Sequence, residues 1–264
     1  MKWALCLLLL GCGKPTLHHF AGTAFDIEYH VQIGHRLSGK QQARIGKIIQ
    51  SVFGDVHRTF NQWNPQSVLS LGGATRELEL ILSYADVIKE LTGGRFDVRR
   101  GSAMKLKTGK TSAIDLDGLI KGYAIDKLIN SLKREGYKNS FVSWGGEMRT
   151  MGRHPEKRPW RVLIKGGDGL DLNGALATSG TYEQRYGEYT HIIDPRSQTP
   201  LNADQELVSV SVKAPTCILA DSLATAIMVC KNGVQAEKFV ANLKKVLPQI
   251  EVWIHCTKHE DSDI

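Results

Sequence analysis

The chain keeps no single hydrophobic period for long, and this irregularity is its strongest constraint on fold. Residues Phe25, Ile27, Tyr29, Val31 and Ile33 alternate with Asp26, Glu28, His30 and Gln32, which predicts a half-buried strand over 25–33. Helical spacing follows at Ile45, Ile48, Ile49, Val52, Phe53, Val56 and Phe60, with Ser38 as a cap. A polar stretch from Asn61 to Gly73 reads as a loop. A second helix is predicted over Arg76–Leu91, ending at Gly93-Gly94. Ile114–Asp117 reads as a strand end leading into a helix that runs to Arg134, with Gly136 just past it. Short strands are predicted at 141–144, 160–164, 175–178, 191–193, 207–212 and 251–255, and helices at 216–230 and 234–246. There is no steady strand–helix–strand rhythm and no repeat of 20–50 residues, so a doubly wound parallel sheet and a solenoid are both excluded. The expected class is α+β, with mixed, mainly antiparallel sheets and flanking helices.

At 264 residues the chain is long enough for a sizeable core. With 42% apolar and 23% charged residues it is not a disordered polymer. The net charge of +7 is spread among acids, as in Lys133-Arg134-Glu135, rather than gathered on one face. That pattern disfavours a nucleic-acid partner and favours an anionic small molecule.

The N-terminus reads as an address. Met1-Lys2 is followed by apolar residues from Trp3 to Leu10, too short to span a bilayer. Leu9-Leu10-Gly11-Cys12 resembles a bacterial lipobox, which implies cleavage before Cys12 and lipidation of its sulfur. The expected layout is a signal peptide at 1–11, a lipid-anchored tether at 12–21 and one domain over 22–264. Cys217, Cys230 and Cys256 remain in that domain. None forms a C-x-x-C pair, and they read as small core residues with at most one disulfide among them.

Four glycine-rich polar segments interrupt the apolar elements. Thr92 to Val98 follows a helix and can serve simply to stop it. Ile114 to Tyr123 puts Asp115 and Asp117 before a helix start, where a carboxylate suits the helix dipole, and Lys121 there can be either a solvated lysine or a ligand contact. Ala177 to Gly180 precedes Tyr189 to Arg196, in which His191 can be a packed surface residue or a functional one. In the fourth segment, Asp221 and Thr225 are four residues apart and share a helix face. Both offer oxygen to a hard cation such as Mg²⁺, or Thr225 bonds back to its own helix. Phosphate-loop and dinucleotide fingerprints are absent from the sequence.

In order, the segments GGRFDV (93–98), IDLDGLIKGYAIDK (114–127), FVSWGGEMRTMG (141–152), ALATSGTYE (175–183), HIIDPRSQTP (191–200) and ADSLATA (220–226) resemble the ApbE family of FAD:protein FMN transferases, from about Gly22 to Val229. The resemblance implies a compact ApbE-like fold. It also implies Mg²⁺-dependent cleavage of FAD, transfer of FMN to a Thr or Ser hydroxyl of a target protein, and release of AMP. By motif, Asp221 and Thr225 match side-chain Mg²⁺ ligands, and the Gly118 carbonyl matches a third. Arg95, Phe96, Asp97, Asp115 and Lys121 match flavin-nucleotide contacts. Trp63 matches an aromatic that packs on FAD, and Ile193 an adenine-side contact. His191 matches a histidine suited to proton transfer. The implied partner is an acceptor flavoprotein subunit, such as one of a sodium-translocating NADH:quinone reductase. The implied location is the periplasmic face of the bacterial inner membrane, through the lipid on Cys12.

Two departures accompany the resemblance. The family's Met-Gly-Thr is Ala21-Gly22-Thr23 here. Only 15 residues separate Val98 from Ile114, where the family has a long stretch, so part of a lid or subdomain is lost. Two rival functions use the same site: an FAD pyrophosphatase that releases free FMN, and a flavin-binding lipoprotein without turnover.

Overall fold

A computed structural model of the chain describes residues 16–100, 113–164, 169–182 and 185–257. The signal segment, Cys12 and most of the basic stretch between Arg99 and Ser112 lie outside these residues.

The expected class holds. Strands β1 (His18–Ala24), β2 (Ile27–Ile33), β3 (Ser140–Trp144) and β4 (Glu147–Met151) are followed by a ribbon of β5 (Trp160–Leu163) and β6 (Gly169–Leu172). The chain continues through β7 (Gly174–Gly180), then β8 (Arg185–Tyr186), β9 (Tyr189–Asp194) and β10 (Thr199–Asn202), then β11 (Leu207–Ala214) and β12 (Glu251–Cys256). The main sheet runs β1-β2-β3-β4-β7-β11-β12, with every neighbouring pair antiparallel. A smaller sheet has the order β10-β9-β8.

Five helices are formed among the described residues: α1 (Gly39–Phe60), α2 (Arg76–Leu91), α3 (Asp117–Arg134), α4 (Cys217–Met228) and α5 (Gly233–Val246). Their apolar stripes make the core. Ile45, Ile49 and Val52 of α1 and Leu119, Ile125, Leu128 and Leu132 of α3 are buried with Val31, Ile33 and Val142 of the sheet. A second cluster joins Leu223 and Ile227 of α4 to Val210 and Val212 of β11 and to Val240 and Leu243 of α5.

The hairpin at the start of the chain corrects the strand predicted over 25–33. Phe25 and Asp26 have φ of 53° and 60° and form the two-residue turn between β1 and β2. Two consecutive left-handed residues suit the twist of a hairpin. The alternation seen from Phe25 therefore begins structurally at Ile27. β1 went unpredicted because its small and polar residues give no clear period. His18 to Ala21, assigned to the tether by sequence, pair with Ile33 to His30 as the first half of β1. Ile114–Leu116 is likewise not a strand end but a loop, closed where the N–H of Asp117, the first residue of α3, donates to Asp115 Oδ1 at 3.1 Å.

Cys217 and Cys230 are buried and Cys256 is half-buried, and all three are free thiols. Among the described residues no helix is long and apolar enough to cross a membrane.

Ser38 caps α1 in both directions. Its hydroxyl accepts from Gln41 N–H at 3.4 Å, and its own N–H donates to Gln41 Oε1 at 2.8 Å. Ser38→Ala is expected to cost about 1 kcal/mol, read as a lower midpoint in urea unfolding with an unchanged slope.

Candidate active site

The site is organised by the contact between α3 and α4. A Cβ on Gly122 would overlap the Cys217 carbonyl and stand 2.7 Å from Ile218 N, so only glycine permits this approach. One turn earlier, a Cβ on Gly118 would lie 3.0 Å from Thr225 Oγ1 and from Phe96 Cε2. The Gly122 N–H donates to Asp221 Oδ2 at 3.0 Å. In a regular helix that N–H serves the Gly118 carbonyl. Asp221 thus competes for the donor and leaves the Gly118 oxygen with acceptor capacity.

Thr225 Oγ1 lies 3.2 Å from Ser179 Oγ on β7, which places the hydroxyl toward the sheet. The i, i+4 pairing of Asp221 and Thr225 read from the sequence is therefore a shared face directed at a cleft. The cleft, about 710 Å³ with its open mouth, is walled by Arg95, Phe96, Asp97, Asp115, Gly118, Lys121, His191, Ile193, Asp221 and Thr225. Four separate parts of the chain thus bring nearly the whole predicted set together.

Trp63 is the exception. It lies half-exposed on an adjoining cleft of about 1280 Å³ lined by Phe25, Phe60 and Trp144. Asp117, Lys121 and His191 border both clefts, which therefore adjoin. One part is polar and carboxylate-rich and the other aromatic, an arrangement suited to an elongated ligand with a charged middle and a flat apolar ring.

Several side chains have structural duties besides lining the cleft. Asp97 ties α2 to its following loop, bonding Lys89 Nζ at 2.8 Å and accepting from Arg99 N–H at 2.9 Å. These bonds hold its carboxyl below the usual range against the burial that would raise it. The Arg95 guanidinium stands 4.3 Å over the Phe239 ring, while its Nε is buried with no hydrogen-bond partner among the described residues. Gln62 accepts from Leu116 N–H at 3.2 Å and donates to Asp117 Oδ1, which fixes the loop before α3.

Sequence reasoning missed Glu147, Ser179 and Arg100 and gave Asp117 only a helix-start role, yet all four line the same cleft. Glu147 is 2% exposed, and Lys121 Nζ bonds its Oε1 at 2.8 Å. Its Oε2 is buried with no partner among the described residues. The signal available was its place in FVSWGGEMRTMG, but nothing local shows that this carboxylate is buried against a lysine from another element. Burial pushes the carboxyls of both Glu147 and Asp221 up, and Lys121 pulls both down. Asp117 adds to the rise at Asp221, and Asp221 to that at Glu147.

Carboxylates thus outweigh the ammonium groups at the heart of the cleft, an imbalance that a divalent cation relieves. Asp221, Thr225 Oγ1 and the Gly118 carbonyl could supply oxygen donors to a hard cation, the chemistry Mg²⁺ takes while keeping places for water and phosphate. Among the described residues no cluster of three or more His, Cys, Asp or Glu is arranged around a metal position. This set, with one carboxylate, is of a different kind.

Residues 102–250 match the model of the ApbE family. The FAD:protein FMN transferase of Chlamydia pneumoniae is 31% identical, covering 89% of this chain and 91% of that one. Its counterpart in Vibrio cholerae is 28% identical over 86% of this chain and 85% of its own. Among solved structures, the flavin transferase ApbE from Vibrio cholerae superposes with a TM-score of 0.79 at 22% identity, over 93% of this chain and 95% of that one. The apo flavinyl transferase ApbE of Pseudomonas stutzeri gives 0.78 at 20% identity, over 93% of each chain. The mixed α+β fold is that of the ApbE flavin transferases, and this chain belongs to the ApbE family. The alignment with the Chlamydia pneumoniae protein runs over 289 positions against 264 residues in the whole chain, so that relative carries stretches with no counterpart here.

Proposed function

We propose that this protein is an FAD:protein FMN transferase that uses Mg²⁺, attaches FMN to a Thr or Ser hydroxyl of an acceptor protein and releases AMP. The observation that carries this reading is the meeting of Asp221, Thr225 and Gly118 with Lys121 and His191 at the junction of a polar and an aromatic cleft. The relatives' names supply the reaction, and the cleft supplies residues suited to each part of it.

Trp63 and the aromatic cleft receive the flavin ring. Lys121, aimed by Glu147, and Arg95 lie against the pyrophosphate. Asp221, Thr225 and the Gly118 carbonyl hold Mg²⁺, which when bound neutralises phosphoryl charge. The acceptor oxygen attacks the phosphorus on the riboflavin side. The bond from that phosphorus to the bridging oxygen breaks, and AMP leaves with the electron pair. His191, on β9 at the border of the two clefts, takes the proton from the hydroxyl. Such a displacement depends on position and charge neutralisation more than on covalent help from the protein.

The test is incubation of the purified chain with FAD, Mg²⁺ and a candidate acceptor, such as a flavoprotein subunit of a sodium-translocating quinone reductase. Mass spectrometry is expected to find FMN on one Thr or Ser, with AMP released in equal amount. Free FMN with an unmodified, competent acceptor would mean a pyrophosphatase. Intact FAD would mean a binding protein.

The reading includes anchorage at the periplasmic face through lipid on Cys12. Cys12→Ser is expected to move the protein out of the membrane fraction or leave it unprocessed, with flavin transfer by the purified domain unchanged. Labelled palmitate that never enters the wild type would refute the anchor.

A further inference from the structure

Helix α4, which carries Asp221 and Thr225, has no side-chain cap of its own. Thr216 occupies the N-cap position, and its hydroxyl makes no capping bond. The first backbone donors of α4 are taken instead by a residue of α3. Asp126 Oδ1 accepts from Cys217 N–H at 2.9 Å, and Asp126 Oδ2 accepts from Ile218 N–H at 3.0 Å. Arg149 Nη1 of β4 donates to the same Oδ1 at 2.6 Å. Asp126 is 7% exposed, so this cap operates away from water.

Gly118, Gly122 and Asp126 are four residues apart and form one stripe along α3. Each meets α4, in reverse order. Gly118 faces Thr225, Gly122 meets Asp221 and the Cys217 carbonyl, and Asp126 holds the amides of Cys217 and Ile218. The two helices are thus antiparallel and locked at both ends. The glycine end brings the backbones close and resists only further approach. Close approach by itself does not stop α4 sliding along its axis. Directional bonds against sliding come from the Gly122–Asp221 contact and, at the far end, from Asp126.

We infer that Asp126, braced by Arg149, is a positioning residue that fixes the axial register of α4 on α3 and so places Asp221 and Thr225 beside the Gly118 carbonyl. The inference rests on the metal-site reading above. Both carboxylate oxygens are needed, because each accepts a different backbone N–H. An asparagine has one acceptor oxygen, and its amide donor would face the second backbone donor.

The experiment is titration of the purified protein with Mn²⁺ alone, following the free ion by electron paramagnetic resonance. Four proteins are compared at a temperature where circular dichroism shows each folded: wild type, Asp221→Ala, Asp126→Asn and Ser38→Ala. Wild type is expected to bind, and Asp221→Ala to lose that binding. If those two do not differ, the metal-site reading falls and the inference falls with it. Given that difference, Asp126→Asn is expected to weaken Mn²⁺ binding about 10-fold or more, the usual size for removal of a group that orients a metal ligand. Ser38→Ala lowers stability far from α4 and is expected to leave Mn²⁺ binding unchanged. A wild-type dissociation constant in Asp126→Asn would overturn the positioning role while leaving the metal site standing. Should the Asn variant fail to fold, Arg149→Met spares both backbone bonds and serves instead. It is expected to bind Mn²⁺ several-fold more weakly, and an unchanged constant there would also overturn the inference.

Discussion

Replacing Asp221 with alanine is expected to slow FMN transfer by about 10²- to 10⁴-fold, the loss that follows when several kcal/mol of phosphoryl charge stabilisation are removed. Chelation by EDTA should reduce the wild type to the same level, and EDTA should add little to the variant. The expected effect on stability is the opposite of what a buried polar residue usually gives. Asp221 sits 2% exposed with like charges from Asp117 and Asp126 acting on it, and burial already drives its carboxyl up. In the metal-free protein it carries a desolvated charge that Lys121 offsets only in part. Asp221→Ala is therefore expected to keep or raise the melting temperature while transfer collapses. A variant that keeps full activity would remove Asp221 from the metal site. One that loses activity only in step with its folded fraction would assign it a structural role.

His191 comes second in expected effect. A Thr or Ser hydroxyl is a weak nucleophile at neutral pH, and a positioned base is worth roughly 10²–10⁴-fold. His191→Ala should lower the transfer rate within that range at saturating FAD and Mg²⁺, with much less change in FAD affinity. His191→Asn separates two roles. An amide can donate a hydrogen bond that orders β9, but it cannot take up the proton. Base catalysis predicts that the Asn variant fails almost as badly as Ala. Near-wild-type transfer by the Asn variant would make His191 an ordering residue.

The legible parts of this chain were those governed by local chemistry. The helix over Arg76–Leu91 and its stop at Gly93-Gly94 were readable because the periodic apolar residues end where two glycines take φ of 58° and 74°. The Ser38 cap was readable from Ser-x-x-Gln. Asp221 and Thr225 were readable as a pair because helical spacing alone puts them on one face. What was not legible depended on partners distant in sequence. Glu147 stands in β4 among residues that look like any short strand, and its burial follows only from Lys121 arriving from α3. Asp126 reads as an ordinary polar position in a helix, since its two amide partners lie 91 and 92 residues further on. β1 was invisible because a strand with small and polar side chains carries no hydrophobic period, and its pairing with β2 defines it. Trp63 was singled out only through the resemblance, as an aromatic that packs on FAD, and its place on the adjoining aromatic cleft depends on how the loop after α1 folds back toward α3.

The cap on α4 also gives the molecule a built-in readout. The Asp221–Thr225 pair faces the Gly118 carbonyl only while α4 is docked on α3. The amides of Cys217 and Ile218 are bonded to Asp126 rather than to α4 itself. Their hydrogen-exchange rates therefore follow the opening of that one contact, separately from global unfolding. In a deuterium-exchange experiment these two amides would report what fraction of molecules has an assembled cleft at any moment, and ligand that closes the cleft would slow them first.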